Sequence, residues 1–184
     1  LLTNGIESRK TIVRAIKSRW NITRVYSFNL LTSNGEKSSN SAFFNAKNFD
    51  IEMVEAEPKF TVQPNTKFRV SLLYNYKTKI NDSLWGGEEL VAQTAGLEMR
   101  LNRASKGSFR AAFNFINNQY KSSGNPSLDY EILEGLQEGA NMTWELTYQQ
   151  NISKHMQLSV NYNGRKSEDS PIIHTGGVQV RAFF

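Results

Sequence analysis

Residues 172–184, IIHTGGVQVRAFF, decide the fold. In an extended chain Val178, Val180, Ala182 and Phe184 fall on one side, and Gly177, Gln179 and Arg181 on the other. Successive side chains of a strand point to opposite faces, so this ending is a strand with one greasy and one polar side. The segment before it repeats the pattern: Met156, Leu158, Val160 and Tyr162 alternate with Gln157, Ser159, Asn161 and Asn163. Further upstream, Met142, Trp144, Leu146 and Tyr148 alternate with Asn141, Thr143, Glu145, Thr147 and Gln149.

Working outward, Phe109, Ala111, Phe113 and Phe115 oppose Arg110, Ala112 and Asn114. Ala95, Leu97, Met99 and Leu101 oppose Gly96, Glu98, Arg100 and Asn102, and Phe68, Val70, Leu72, Tyr74 and Tyr76 oppose Arg69, Ser71, Asn75 and Lys77. The alternation predicts about eight strands, over 10–31, 45–63, 67–80, 89–103, 108–120, 139–150, 155–165 and 173–184. The first two are longer and less regular. Pro58 in the second predicts a bulge or an edge, because proline cannot donate to a strand ladder. Helical spacing occurs once, at 127–136, through Leu128, Ile132, Leu133 and Leu136.

The predicted connections alternate between short turns (64–66, 104–107, 152–154) and longer polar loops (32–41, 81–88, 121–138, 166–171). Tight periplasmic turns with long external loops are the habit of outer-membrane barrels. With eight strands and the long loops outside, both the first strand's start and Phe184 are expected on the periplasmic side. The expected fold is therefore all-β, an antiparallel up-and-down transmembrane β-barrel forming a single domain or barrel segment over 1–184.

Composition excludes several other classes. With 184 residues and no cysteine, the chain has no disulfides, thiolate ligands or Cys nucleophile. Its mean hydropathy is −0.52, and no apolar run approaches the 18 or so residues of a membrane-spanning helix. Strand alternation hides a transmembrane barrel from such averages. The net charge of +5 is spread through the strands without a dense basic run, so no nucleic-acid partner is expected.

A soluble β-barrel that binds a ligand is the competing reading. Its apolar face would point inward, and about eight strands enclose only enough room for side-chain filling. Phe68, Tyr74, Tyr76, Phe109, Phe113, Phe115, Met142, Trp144, Tyr148 and Met156 are too bulky as a set for that interior. The opposite face carries Glu55, Glu57, Lys59, Arg69, Glu98, Arg100, Arg110, Glu145 and Arg181, whose mixed signs suit a polar lumen network. Phe68, Tyr74, Tyr76, Trp144, Tyr148 and Tyr162 fall near strand ends, where an interfacial aromatic girdle belongs.

The ending VQVRAFF resembles the C-terminal signature of bacterial outer-membrane proteins, a terminal Phe with apolar residues at every second position before it. That resemblance implies that Phe184, Ala182, Val180 and Val178 carry the signal read by the barrel-assembly machinery. Phe183 departs from strict alternation. More narrowly, QPNTKFRVSLLYNYKTK (63–79), LSVNYNGRKSEDSPIIHTGGVQVRAFF (158–184) and the strands between resemble the C-terminal barrel portion of large Bacteroidota surface proteins, over about 45–184. This implies a bacterial outer-membrane location and membership of a larger barrel. It implies no reaction.

Catalytic chemistry is hard to build from these residues. His155 reads as a solvated turn residue, and His174 has no Ser or Asp tied to it by spacing. Glu55–Glu57 and Glu98–Arg100 have the spacing of one strand face and suit lumen pairs better than paired acid and base. Gly176–Gly177 predicts a kink or bulge near the rim, and Trp85-Gly86-Gly87 an exposed loop tip. No catalytic group, cofactor or metal site is expected. The expected role is an outer-membrane barrel in assembly, structure or transport, in contact with outer-membrane lipid, the barrel-assembly machinery and other envelope proteins, with the 121–138 loop offering a surface. A pore or uptake channel is the alternative, and a soluble ligand-binding barrel the second.

Overall fold

A computed structural model describes residues 6–103, 106–168 and 170–183, with no side chain described for Ala46. Nine strands form one antiparallel meander in chain order: β1 (Glu7–Asn21), β2 (Tyr26–Ser41), β3 (Phe49–Val62), β4 (Phe68–Asn81), β5 (Glu89–Arg103), β6 (Gly107–Lys121), β7 (Gly139–Ser153), β8 (Met156–Ser167) and β9 (Ile173–Ala182). One helix, α1 (Pro126–Leu133), lies between β6 and β7. The all-β antiparallel expectation holds. Among the described residues β1 does not pair with β9, so the sheet stays open.

The expected first strand, 10–31, is in fact a hairpin. It turns at 22–25, where the Thr23 hydroxyl accepts hydrogen bonds from the Val25 and Tyr26 amides at 3.1 and 3.0 Å. The expected loop 32–41 is the second half of β2, paired with β1 on one side and β3 on the other. The strand count is therefore nine rather than eight. With an odd count, β1 starts at the long-loop end while β9 finishes at the short-turn end. The expectation that the first strand starts beside the short turns is overturned. Phe184 itself lies outside the described residues.

Pro58 marks neither an edge nor a bulge. β3 is an interior strand, and its register to β4 is the same on both sides of the proline, Ala56 opposite Tyr76 and Lys59 opposite Leu73. Only the local pairing is interrupted, which is what a residue without an N–H must do. Gly176 and Gly177 also sit in unbroken register, opposite Tyr162 and Asn161, so no bulge forms there. Among the described residues the one register shift falls between Asn151 and Ser153, at the β7–β8 turn.

The sheet curls. Arg19 of β1 and Arg110 of β6 line one cavity of about 310 Å³. Across five strand spacings of about 4.8 Å they would stand roughly 24 Å apart in a flat sheet. The face enclosed by that curl also receives α1.

Its two faces invert the usual soluble rule. Ser27, Thr61, Ser71 and Ser159 on the inner face are buried, whereas Leu72, Tyr74, Leu97, Phe113, Leu146, Val178 and Val180 on the outer face are exposed. Neighbours on β4 make the contrast plain: Ser71 is 3% exposed and Leu72 58%.

Toward the long loops the pattern is mixed: β4 still buries Lys79 and Asn81 and exposes Ile80, but its neighbours change. Phe49 and Ile51 of β3 and Leu90 and Ala92 of β5 turn inward and are buried, while Glu52, Glu89 and Gln119 face outward. The buried apolar cluster is completed by Leu128 and Ile132 of α1, with Met53, Tyr120 and Leu133 packed against it. Helix α1 starts with Pro126, favoured in a first turn, and ends on Glu134, whose φ of 55° places it in the left-handed region ahead of Gly135.

Candidate functional site

The inner face carries every residue expected for the polar lumen network. Glu55, Glu57 and Lys59 on β3, Arg69 on β4, Glu98 and Arg100 on β5, Arg110 on β6, Glu145 on β7 and Arg181 on β9 share that side by register. Some of them meet. Lys59 Nζ donates to Glu98 Oε2 at 2.8 Å, and Asn75 Nδ2 bonds Glu55 and, at 3.4 Å, Glu57. Arg69 donates twice to the side-chain oxygen of Gln63, at 2.9 and 2.7 Å. Among the described residues Glu145 accepts only from Thr147, at 3.5 Å. Among the described residues, no ion pair reaches Arg100, Arg110 or Arg181.

Helix α1 closes over this face at its long-loop end, an arrangement the sequence reading missed. Lys79 of β4, itself 4% exposed, donates to the Ile132 carbonyl at 2.7 Å and to Glu134 at 2.8 Å. Lys77 reaches the same carboxylate at 3.3 Å, and Lys37 of β2 pairs with Glu131. Arg165 of β8 donates to the Gly135 carbonyl at 3.2 Å, and Asn118 to that of Gln137 at 3.0 Å. The loop is thus tied to β2, β4, β6 and β8 at once. Burial pushes the Glu134 carboxyl up, but its hydrogen bond to Lys79 and the two lysine charges outweigh this and hold it below its ordinary range. The loop 121–138, expected to offer its surface outward, spends Leu128 and Ile132 inward and leaves Tyr130 exposed.

Other long connections are pinned by buried polar side chains. Asn81 accepts from the Asp50 amide at 3.0 Å and donates to the Trp85 carbonyl at 3.1 Å and to Glu88 at 2.6 Å. Asn141 donates to the Gln137 carbonyl at 2.8 Å. Trp85 closes a short 3-10 segment, Ser83–Trp85, and is exposed with Gly86; Gly86 and Gly87 follow at φ of 129° and 71°.

On the outer face, Phe68, Leu101, Phe109 and Tyr148 are successive cross-strand neighbours near the short turns. Of the other aromatics expected in a girdle, Tyr76 and Trp144 lie nearer the long loops, whereas Tyr74 and Tyr162 stand near the middle of β4 and β8. The short-turn rim continues through residues hidden by the mistaken first strand: Trp20 stacks on Phe28 at 5.6 Å and Tyr26 on Phe60 at 5.9 Å. A hairpin break at Thr23 was the signal that would have separated them. Nearer the long loops the Trp144 ring lies across Gly164, where an added Cβ would stand 2.2 Å from the ring.

His174 belongs to this outer cluster. Its Nδ1 is 2.8 Å from the Tyr162 hydroxyl, and its ring stacks on Tyr162 at 5.9 Å and tilts against Trp144 at 6.0 Å. Among the described residues no Ser or Asp is hydrogen-bonded to it. His155 sits at the β7–β8 turn, its carbonyl accepting from the Phe183 amide at 2.8 Å. Of the expected assembly signal, Val178, Val180 and Ala182 lie on one exposed outer line of β9, and Phe184 lies outside the described residues. Among the described residues no group of three or more His, Asp or Glu is placed to hold a metal ion, and no helix is long and apolar enough to cross a membrane. No family model matches the chain, and no curated protein matches it.

Proposed function

We propose that this chain forms part of the wall of a transmembrane β-barrel in the bacterial outer membrane, with a structural role in a larger envelope assembly. One observation carries the reading: toward the short turns, apolar side chains such as Leu72, Leu97, Phe113 and Leu146 stand exposed on the outer face, while Ser27, Thr61, Ser71 and Ser159 are buried on the inner one. On β4 the outer line Phe68, Val70, Leu72, Tyr74, Tyr76 reaches the lower end of the roughly 9–11 residues of a membrane strand. Aromatic residues stand at both limits of that line. Below it, Lys67, Arg103 and Lys106 border a hollow beside Phe109 and Tyr148, a favourable setting for lipid phosphates. A soluble ligand-binding barrel would need the opposite arrangement.

Strand parity bears on the assembly. β1 and β9 run in the same direction, and closing one on the other would make a parallel seam. An antiparallel barrel of even strand number therefore joins this sheet to an odd number of further strands. A free-standing eight-stranded barrel does not fit nine strands. The resemblance to the closing region of large Bacteroidota barrels agrees with this reading, as does a role for Val178, Val180 and Ala182 in contacts with the barrel-assembly machinery.

Heat modifiability of the native polypeptide in washed outer membranes, with its intact mass, tests the proposal. A band that shifts on boiling, from a polypeptide well above 20.9 kDa or a heat-labile complex containing this chain, is expected. Recovery as a soluble protein with no shift contradicts it.

A channel is the second reading, favoured by the charged cavity on the inner face and by α1 folded over one end of that face. Anion-lined or cation-lined constrictions are the usual selectivity devices of pores.

A further inference from the structure

The inner face near the short turns concentrates positive charge without matching it. Arg69 stands directly opposite Arg100, and Arg100 directly opposite Arg110, giving one row of guanidinium groups across β4, β5 and β6. Arg19 and Lys59 join them around the cavity of about 310 Å³, whose one carboxylate, Glu98, is already held by Lys59 at 2.8 Å. Among the described residues Glu145, on the neighbouring row of β7, bonds only Thr147. Like charges placed directly opposite one another destabilise a sheet pair. Here two such pairs are consecutive, and among the described residues neither Arg100 nor Arg110 has a hydrogen-bond or ion-pair partner. Arg69 is oriented by Gln63, which takes Nε and one terminal nitrogen and leaves the other free.

We propose that Arg69, Arg100 and Arg110 form an oxyanion-recognition site on the inner face, taking a small, multiply charged solute of the phosphate type. Arginine suits this task because its planar fork matches two oxygens of one phosphate or carboxylate group. An anion seated on the row turns two repulsive contacts into attractive ones. The cavity is near the lower limit of size for small-ligand sites, which favours a compact anion over an extended chain. Ser71 and Thr61, hydrogen-bonded to each other at 2.9 Å, supply hydroxyl groups to the same cavity. The site needs only the inner face, so it stands whether or not the sheet closes in a membrane.

The test is saturable binding of inorganic phosphate to the folded full chain in uncharged detergent, at fixed ionic strength. The expected result is binding that weakens tenfold or more in R100Q/R110Q and less than twofold in R181Q, a lumen-face arginine outside the row. R100K/R110K keeps the charge and loses the fork, and should fall between. In the unmutated protein, phosphate should also protect Arg100 and Arg110 from phenylglyoxal while Arg181 stays reactive. No saturable binding, equal binding by R100Q/R110Q, or equal labelling of all three arginines overturns the site. Heat modifiability, read on the same samples, reports on the barrel separately.

Discussion

The two ends of β3 obey opposite rules. Toward the short turns it hides Thr61 and exposes Phe60; toward the long loops it hides Ile51 and exposes Glu52, whereas its neighbour β4 there still hides Lys79 and exposes Ile80. Backbone pairing is continuous through both regions, so the ladder does not cause the difference. What changes is the partner of each outer face. Apolar side chains left outside need a non-aqueous neighbour, and polar ones left outside need water. On the proposed membrane reading, the reversal along β3 marks the upper end of the lipid-facing band, above Tyr76. Above it the sheet and α1 share a buried apolar cluster, which α1 covers.

The comparison can be broken first at the lid. Ile132→Ala removes the most enclosed side chain of the upper cluster and should cost about 2–5 kcal/mol of α1 docking. Proteolysis within 121–138 should accelerate while heat modifiability of the sheet is retained; loss of both would mean the two regions are one unit. Next, Leu97→Arg places a charge in the middle of the outer apolar band and should destabilise insertion by about 2–4 kcal/mol. Urea titration in lipid vesicles measures it. The same arginine at Gln119, outside the band, should change stability by no more than about 0.5 kcal/mol.

Glu134→Gln is expected to loosen α1 by about 1 kcal/mol, since Lys79 loses a charged acceptor but keeps the Ile132 carbonyl, and the carboxylate is 59% exposed. The sign with pH follows from a carboxyl held below its ordinary range. Its stabilisation is complete above the unfolded value and lost as pH falls through the folded one. Protection of 121–138 from protease should thus be flat from neutral pH down to about pH 4.3, decline below it, and lose that decline in Glu134→Gln.

Where one face was apolar the fold was legible from residues alone, which is why β4 to β9 were found close to their limits. The first hairpin was lost because its turn holds no Gly or Pro, only Ile22, Thr23, Arg24 and Val25. The upper half of β2 read as a loop because Asn34, Glu36 and Ser38 on the outer face are as polar as Ser33, Lys37 and Ser39 on the inner one. Period-two contrast needs an apolar face, and above the band β2 has none. The inward course of α1 had a faint signal: Phe49 and Ile51 sit on the polar parity of β3, and only a cover such as Leu128 and Ile132 accounts for them. The inner-face residues were identifiable by parity. Their partners were not, since whether Lys59 meets Glu98 or Glu57 depends on cross-strand register.

Solvent access along one strand is the most direct measurement. The chain has no cysteine, so Leu97→Cys and Gln119→Cys each create a single labelling site. In native outer membranes a water-soluble maleimide should label the cysteine at position 119 and leave that at 97 unreacted until detergent and heat unfold the protein. Equal labelling of both in the folded state would contradict a lipid-facing band.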